Sequence, residues 1–382
     1  MSYLYRCSTC GKQFEITPER MVCDTCFAQS DSERPPFGLL EVTQSADIPD
    51  SWDIFDMLPV ERQYFPSIPV GNTPMWNPER LRKELNFPNL FLKDDTVNPT
   101  GSLKDRASFL VSAFALKHNI QDIVVASTGN AGSSMAGIGA AAGLNVRLYL
   151  PASAPQAKLI QAAQYGAEVV KVKGTYDAAY DECMNYVEKH GGLSRNTGYN
   201  PLTIEGKKTV SIEIFQQLDS LPDYVFVPTG DGVILSGVYK GFEDLKALSI
   251  TDRIPTIVAV QAEGSSAITR ALESGSFSSP LESNTVADSI SVDVPRGGQF
   301  ALTRLQKHGG KAVTVTDNEI LSAQKKLSST TGLFAEPAAA AAFAGFLSYR
   351  NSIPQEASVV LLITGNGLKD VQAAHKALEL GI

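Results

Sequence analysis

Two sets of residues in this chain of 382 residues have types and spacings that could do chemistry. The first centres on Lys104, in the run Asn98-Pro99-Thr100-Gly101-Ser102-Leu103-Lys104-Asp105-Arg106. A short apolar run, Leu90-Phe91-Leu92, leads into it, and a helix-like stretch from Ala107 to Lys117 follows. Turn residues ahead of an apolar periodic segment predict Lys104 at or near a helix N-terminus. The positive end of a helix dipole favours the neutral amine, the form that attacks a carbonyl. Standing alone, the same lysine also reads as a solvated side chain in a surface loop. The second set is a pair of knuckles, Cys7-Ser8-Thr9-Cys10 and Cys23-Asp24-Thr25-Cys26. Their spacing suits a tetrahedral zinc ion held by four thiolates, a closed shell that is structural rather than catalytic. The other reading is a ribbon that has lost its metal. Gly11 fits a tight knuckle turn, and the residues between the pairs, including Phe14 and Ile16, suggest a short hairpin. A ribbon this small has too little core to be secure without metal or docking.

Three further loops each follow a strand-like run, where an open α/β sheet places its ligands. Ala126-Ser127-Thr128-Gly129-Asn130-Ala131-Gly132 offers backbone amides at a strand-to-helix turn, which can hold a carboxylate. Val227-Pro228-Thr229-Gly230-Asp231-Gly232-Val233-Ile234 reads as a phosphate cradle at a helix start. It lacks the dinucleotide spacing, and Asp231 must point away from a dianion or cap the helix. Leu362-Ile363-Thr364-Gly365-Asn366-Gly367 puts a hydroxyl at a strand end. Each loop alone is also an ordinary turn. Glu336-Pro337-Ala338-Ala339 fits an Ala-rich helix that begins with proline in its first turn.

Short β-branched runs must position these loops: Ile123–Ala126, Val146–Leu150, Glu168–Val172, Tyr224–Val227, Thr256–Val260 and Ser358–Ile363. They alternate with helical patterns over Ala136–Gly143, Ala157–Ala163 and Thr209–Leu218. This predicts an α/β protein with two lobes, each a parallel sheet flanked by helices, plus the N-terminal zinc-ribbon-like segment. The expected boundaries are 1–45 for the ribbon, 46–125 and 215–382 for a large cofactor lobe, and 126–214 for a small mobile lobe. The linker is expected within Gln44–Trp52, with Ile48–Pro69 wrapping the surface. A net charge of -8 argues against a nucleic-acid surface. No apolar run reaches about 18 residues and no leader pattern opens the chain, so no membrane partner is expected and the protein reads as soluble and cytoplasmic. Four of the five cysteines sit in the knuckles, which is no disulfide framework. Cys183 reads as a buried helix residue, and the four histidines show no metal-like grouping.

The lysine run and the three loops, in this order and at these intervals, resemble the threonine synthase family. These are pyridoxal-phosphate-dependent enzymes of fold type II, similar to the tryptophan synthase β subunit. The resemblance covers nearly the whole chain, and some members carry a similar cysteine ribbon. It implies that Lys104 anchors pyridoxal 5'-phosphate covalently and moves protons at the substrate Cα. It implies that Asn130 touches the cofactor's phenolic oxygen, and that Ser127, Thr128 and Ala131 surround the substrate carboxylate. Gly230, Asp231, Gly232, Val233 and Ile234 would cradle the phosphate, Thr364 would bond the ring nitrogen, and Asn196 and Thr197 would bind substrate. The implied partners are a small amino-acid substrate and a second copy in a homodimer. The implied activity is a carbon–oxygen lyase of threonine biosynthesis, converting O-phospho-L-homoserine and water to L-threonine and phosphate.

The chain departs from the family where a second phosphate would bind. There the family reads Asn-Ser-x-Asn-Pro-x-Arg; this chain reads Asn196-Thr197-Gly198-Tyr199-Asn200-Pro201-Leu202-Thr203, with one residue inserted and Thr203 at the arginine position. Ile234 stands where the family places asparagine. Without that arginine, bidentate recognition is lost. Either Arg195, Lys207 or Lys208 replaces it, or the enzyme is a dehydratase, ammonia-lyase or β/γ-replacement enzyme acting on an unphosphorylated amino acid. A third reading is a binding protein with a ribbon-mediated partner.

Overall fold

A computed structural model describes residues 2–45, 51–152, 156–379 and 381. The chain divides into two compact units: Met1–Ser30, Phe37–Gly71 and Asn98–Thr209 form the first, and Asp31–Pro36, Asn72–Val97 and Val210–Ile382 the second.

The first unit holds a four-stranded parallel sheet in the order Glu168–Val172, Asn145–Pro151, Asp122–Ala126, Leu193–Ser194. Its central strand is buried on both faces, as Ile123, Val124, Val125 and Ala126 require. Helix Lys104–Lys117 packs closely with helices Asn130–Ala142 and Leu202–Lys207. The ribbon is a three-stranded antiparallel sheet, Gln13–Phe14, Ser2–Cys7, Leu40–Ser45. Gln13–Phe14 pairs back onto Ser2–Cys7, so the first knuckle is itself the hairpin turn. Tyr5, Cys7, Cys23, Cys26, Leu40 and Val42 share one apolar core with Leu110, Val111, Phe114 and Leu202, and that docking supplies the core a ribbon lacks alone.

The second unit holds a six-stranded sheet in the order Lys311–Val315, Thr256–Ala262, Tyr224–Pro228, Val359–Ile363, Leu90–Asp94, Met75–Trp76, parallel except for the last strand. Helix Pro337–Tyr349 begins with Pro337 in its first turn, as the sequence suggested, and buries Phe343 and Phe346 against Phe226. Lys93, wholly buried, donates to Thr73 O at 2.7 Å, Glu213 Oε2 at 2.7 Å and Gln217 Oε1 at 2.9 Å. That pairing meets the cost of burying an ammonium.

The units break at 97/98 and 209/210, not at 125/126 and 214/215. The lysine helix therefore belongs with the small parallel sheet, because its neighbours are helices Asn130–Ala142 and Leu202–Lys207. Most of the expected linker, residues 46–50, lies outside the described residues. No helix among the described residues is long and apolar enough to cross a membrane.

Candidate active site and cysteine cluster

Lys104 is the first residue of helix Lys104–Lys117 and is half-buried. The loop before it is held from three sides. Gly101, at φ +83°, sends its amide to Asn98 O at 2.7 Å. Thr100 gives its amide to Asp105 Oδ2 at 2.7 Å and its hydroxyl to Asp105 Oδ1 at 2.5 Å. Gln161 Nε2 donates to Thr100 O at 3.2 Å. Asp105 is thus a fully buried carboxylate stabilised by loop donors at the start of the helix. Ser102 is buried, and its Oγ has no hydrogen-bond partner among the described residues.

Asn130 opens helix Asn130–Ala142 and is buried, with Thr128 and Ala131 half-buried beside it. Ser127 Oγ accepts from the amides of Gly129 at 3.2 Å and Gly132 at 3.0 Å, so it braces the turn. The helix crosses the lysine loop and its first turns. A Cβ on Gly137 would lie 2.5 Å from Thr100 Cγ2, and Ser134 Oγ lies 2.7 Å from Ser108 Oγ.

Asn196 and Thr197 follow strand Leu193–Ser194, beside the loop after Asp122–Ala126. Asn196 Oδ1 accepts from Ala126 N at 2.8 Å, and its amide group faces the sulfurs of Cys183 and Met184, each at 3.4 Å. Its side chain ties strand ends together. Cys183 is a buried helix residue whose thiol burial pushes up to about 11. Thr203, at the family's arginine position, spends its hydroxyl locally. It donates to Asn200 O at 2.7 Å and accepts from Gly198 N at 3.3 Å. Lys208 pairs with Glu205, both fully buried.

In the second unit the Gly230–Ile234 loop and Thr364 follow adjacent parallel strands, Tyr224–Pro228 and Val359–Ile363. Gly232 adopts φ +83° and precedes helix Val233–Ala247; a Cβ there would sit 2.9 Å from Gly297 O. Asp231 Oδ1 accepts from Val233 N at 2.9 Å, so Asp231 caps the helix, as its awkward charge required. The remaining first-turn amides have no carbonyl behind them within the helix. Thr364 is buried, and the loop after it lies tight on Phe334 and Glu336. A Cβ on Gly365 would come 2.2 Å from Glu336 Oε1.

The ligand atoms of Cys7, Cys10, Cys23 and Cys26 all lie within 4.8 Å of one another. Four thiolates around one zinc ion stand about 3.8 Å apart at the usual bond length. The Cys10–Cys23 sulfur separation is 3.9 Å. The amides of Thr9 and Cys10 point at Cys7 Sγ at 3.4 and 3.5 Å, which steadies a thiolate. The Cys10 thiol is lowered to about 7, first by the Lys12 amide and then by its neighbouring thiols, while burial pushes the Cys7 thiol up and the Cys26 thiol up to about 12. The sulfur spacing is that of four ligands around one zinc ion, so the cluster's geometry fits zinc. Only Cys10 is exposed.

The description "Pyridoxal-phosphate dependent enzyme" matches residues 67–365. A threonine synthase of Methanosarcina acetivorans is 34% identical, covering 99% of this chain and 95% of that protein. A threonine synthase of Methanocaldococcus jannaschii is 32% identical over 98% and 95%. The chain belongs to the threonine synthase family of pyridoxal-phosphate-dependent enzymes. The solved structure of threonine deaminase isoform 2 from Solanum lycopersicum shares the fold at a TM-score of 0.71, with 22% identity over 88% of this chain and 97% of that one. The α/β architecture is thus that of fold type II.

Each unit by itself carries features that suit part of that family's cofactor. In the first, an amine opens a helix; in the second, a buried hydroxyl ends a strand and a glycine turn leads into a helix start. Ser102 adds a buried hydroxyl with an unmet bond, a demand that a ligand oxygen would satisfy. Sequence reasoning missed Ser102, although the run around Lys104 displays it two residues before the amine.

A zinc ion held by the four cysteines would stabilise the first unit. One zinc per chain should appear by elemental analysis, and Cys10→Ser or chelation should lower Tm by roughly 5–10 °C, the effect of a few kcal/mol. Metal-free protein as purified, with Tm indifferent to chelator, would refute the zinc assignment.

Proposed function

We propose that the enzyme converts O-phospho-L-homoserine and water to L-threonine and phosphate. One observation carries this reading: a lysine at the first position of a helix, in a chain that matches threonine synthases over nearly its whole length. Bound pyridoxal phosphate supplies the electron sink that makes the substrate Cα–H acidic.

The protein's own residues do the rest. Lys104 would hold the cofactor, and its amine would take the proton from the substrate Cα and return it. Asn130 bonds the phenolic oxygen. Thr128, Ala131 and the turn braced by Ser127 hold the substrate carboxylate with backbone amides and a hydroxyl. Gly230 to Ile234 hold the cofactor phosphate, with Asp231 confined to capping. Thr364 bonds the ring nitrogen; as a neutral hydroxyl it leaves that nitrogen less protonated than a carboxylate would. Thr197 contacts substrate, while Asn196 sets the position of that segment. A homodimer in the cytoplasm accords with this reading.

A second reading rests on Thr203. Its hydroxyl is consumed inside its own turn, and Lys208 is matched by Glu205, so neither replaces a bidentate guanidinium. This favours an unphosphorylated amino acid losing water or another neutral group. The deciding test is a panel of O-phospho-L-homoserine, L-threonine, L-serine and O-acetylated analogues. Phosphate release with equimolar threonine establishes the first reading. Turnover of L-threonine or L-serine without turnover of O-phospho-L-homoserine overturns it.

A further inference from the structure

Arg195 was a candidate to bind a leaving phosphate, and the structure gives it a different task. Its backbone amide bonds Val124 O at 2.9 Å, extending the parallel sheet by one residue. Its guanidinium is fully buried. Nε donates to Ser108 Oγ at 3.3 Å, and Nη1 donates to Thr197 Oγ1 at 2.7 Å. Ser108 stands one helical turn after Lys104 and shares a 2.7 Å bond with Ser134, which stands one turn after Asn130. The Arg195 side chain therefore links the lysine helix to the segment that carries Thr197, and Ser108 passes that tie on to the Asn130 helix through Ser134.

Arginine can only donate, so Thr197 Oγ1 must accept from it. The Thr197 hydroxyl hydrogen is then left for another acceptor, and the described residues provide none. Thr197 is half-exposed, unlike its buried neighbours Arg195 and Asn196. A hydroxyl polarised by a buried cation, with its hydrogen unclaimed and an open side, suits an oxygen of an anionic or hydroxylated substrate.

We propose that Arg195 is a positioning residue, which presents the Thr197 hydroxyl to a substrate oxygen and holds the two helix starts in register. The inference rests on the lyase reading above. Lysine cannot substitute, because a point charge does not supply two donors at a fixed angle.

The test measures kcat, KM, Tm and the cofactor's visible absorbance, with O-phospho-L-homoserine and L-threonine as probes. Thr197→Val is expected to raise KM about tenfold for the probe turned over, with absorbance unchanged. Thr197→Ser should recover most of that loss. Arg195→Lys should raise KM by a similar factor and also lower kcat, because the lysine helix loses its tie. Adding Thr197→Val to Arg195→Lys should then raise KM by less than twofold, since the two act as one unit. If Arg195→Lys does not fold, the Thr197→Val and Thr197→Ser pair decides alone. An unchanged KM in Thr197→Val, or a fully additive double variant, overturns the inference while leaving the lyase reading intact. Wild-type protein without a cofactor band overturns the reading itself.

Discussion

Lys104→Ala is expected to fold normally, to lose the visible absorbance of the bound cofactor, and to lose turnover by about a thousandfold or more. The amine is both anchor and proton carrier, and a positioned acid–base group alone is worth about 10² to 10⁴ in rate. Folding should survive for local reasons. Lys104 occupies the first helical position and is only half-buried. Alanine is the best helix former, and the brace between Asp105 and Thr100 does not use the lysine side chain. Near-UV circular dichroism and Tm should therefore match wild type while absorbance and kcat collapse. A variant that kept its visible band and its turnover would show that another amine does this work.

The lysine's place was legible because the signal is local: turn residues, then the apolar run of a helix that is buried nearly all round. The strands Asp122–Ala126, Asn145–Pro151 and Tyr224–Pro228 were legible for the same reason, since strands buried largely on both faces carry short runs rich in apolar residues. Lys311–Val315 was not foreseen. It is the edge strand of its sheet and only partly buried, so its alternating Lys-Ala-Val-Thr-Val carries a weaker pattern. Side-chain roles set by distant partners were invisible. Lys93 is buried against Glu213 and Gln217, partners more than a hundred residues away that meet it only once the sheet has formed. Ser127 and Asn196 read as ligands, while their oxygens hold backbone amides of the turn and of Ala126. The contact-based division differs from the expected lobes because the lysine helix packs with helices that come later in sequence.

Gly206→Ala tests that last dependence, and it is expected to lower both stability and turnover. Two effects oppose each other. Inside a helix, alanine is better than glycine by about 0.8–1.0 kcal/mol. Against that, a Cβ at residue 206 would lie 2.4 Å from Arg106 O and 2.9 Å from Ala107 Cα. Real Cβ atoms essentially never come within 3.0 Å, and the obstacles here are backbone atoms that cannot rotate aside. Overpacking costs about 1–3 kcal/mol, so the clash wins and Tm should fall. The larger effect is on the chemistry. Arg106 lies two residues after Lys104, and its guanidinium is also tied to Thr209 Oγ1 at 3.0 Å, which in turn donates to Gly206 O at 2.9 Å. Helix Leu202–Lys207 can retreat only by dragging or releasing the first turn of the lysine helix. Displacement approaching 1 Å at a reacting group can cost on the order of a hundredfold. The expected variant is folded, with Tm lower by several degrees and kcat down ten- to a hundredfold, a loss larger than its unfolded fraction explains. Wild-type kcat together with a raised Tm would mean that the two helices part freely, and that the lysine does not depend on residue 206 for its place.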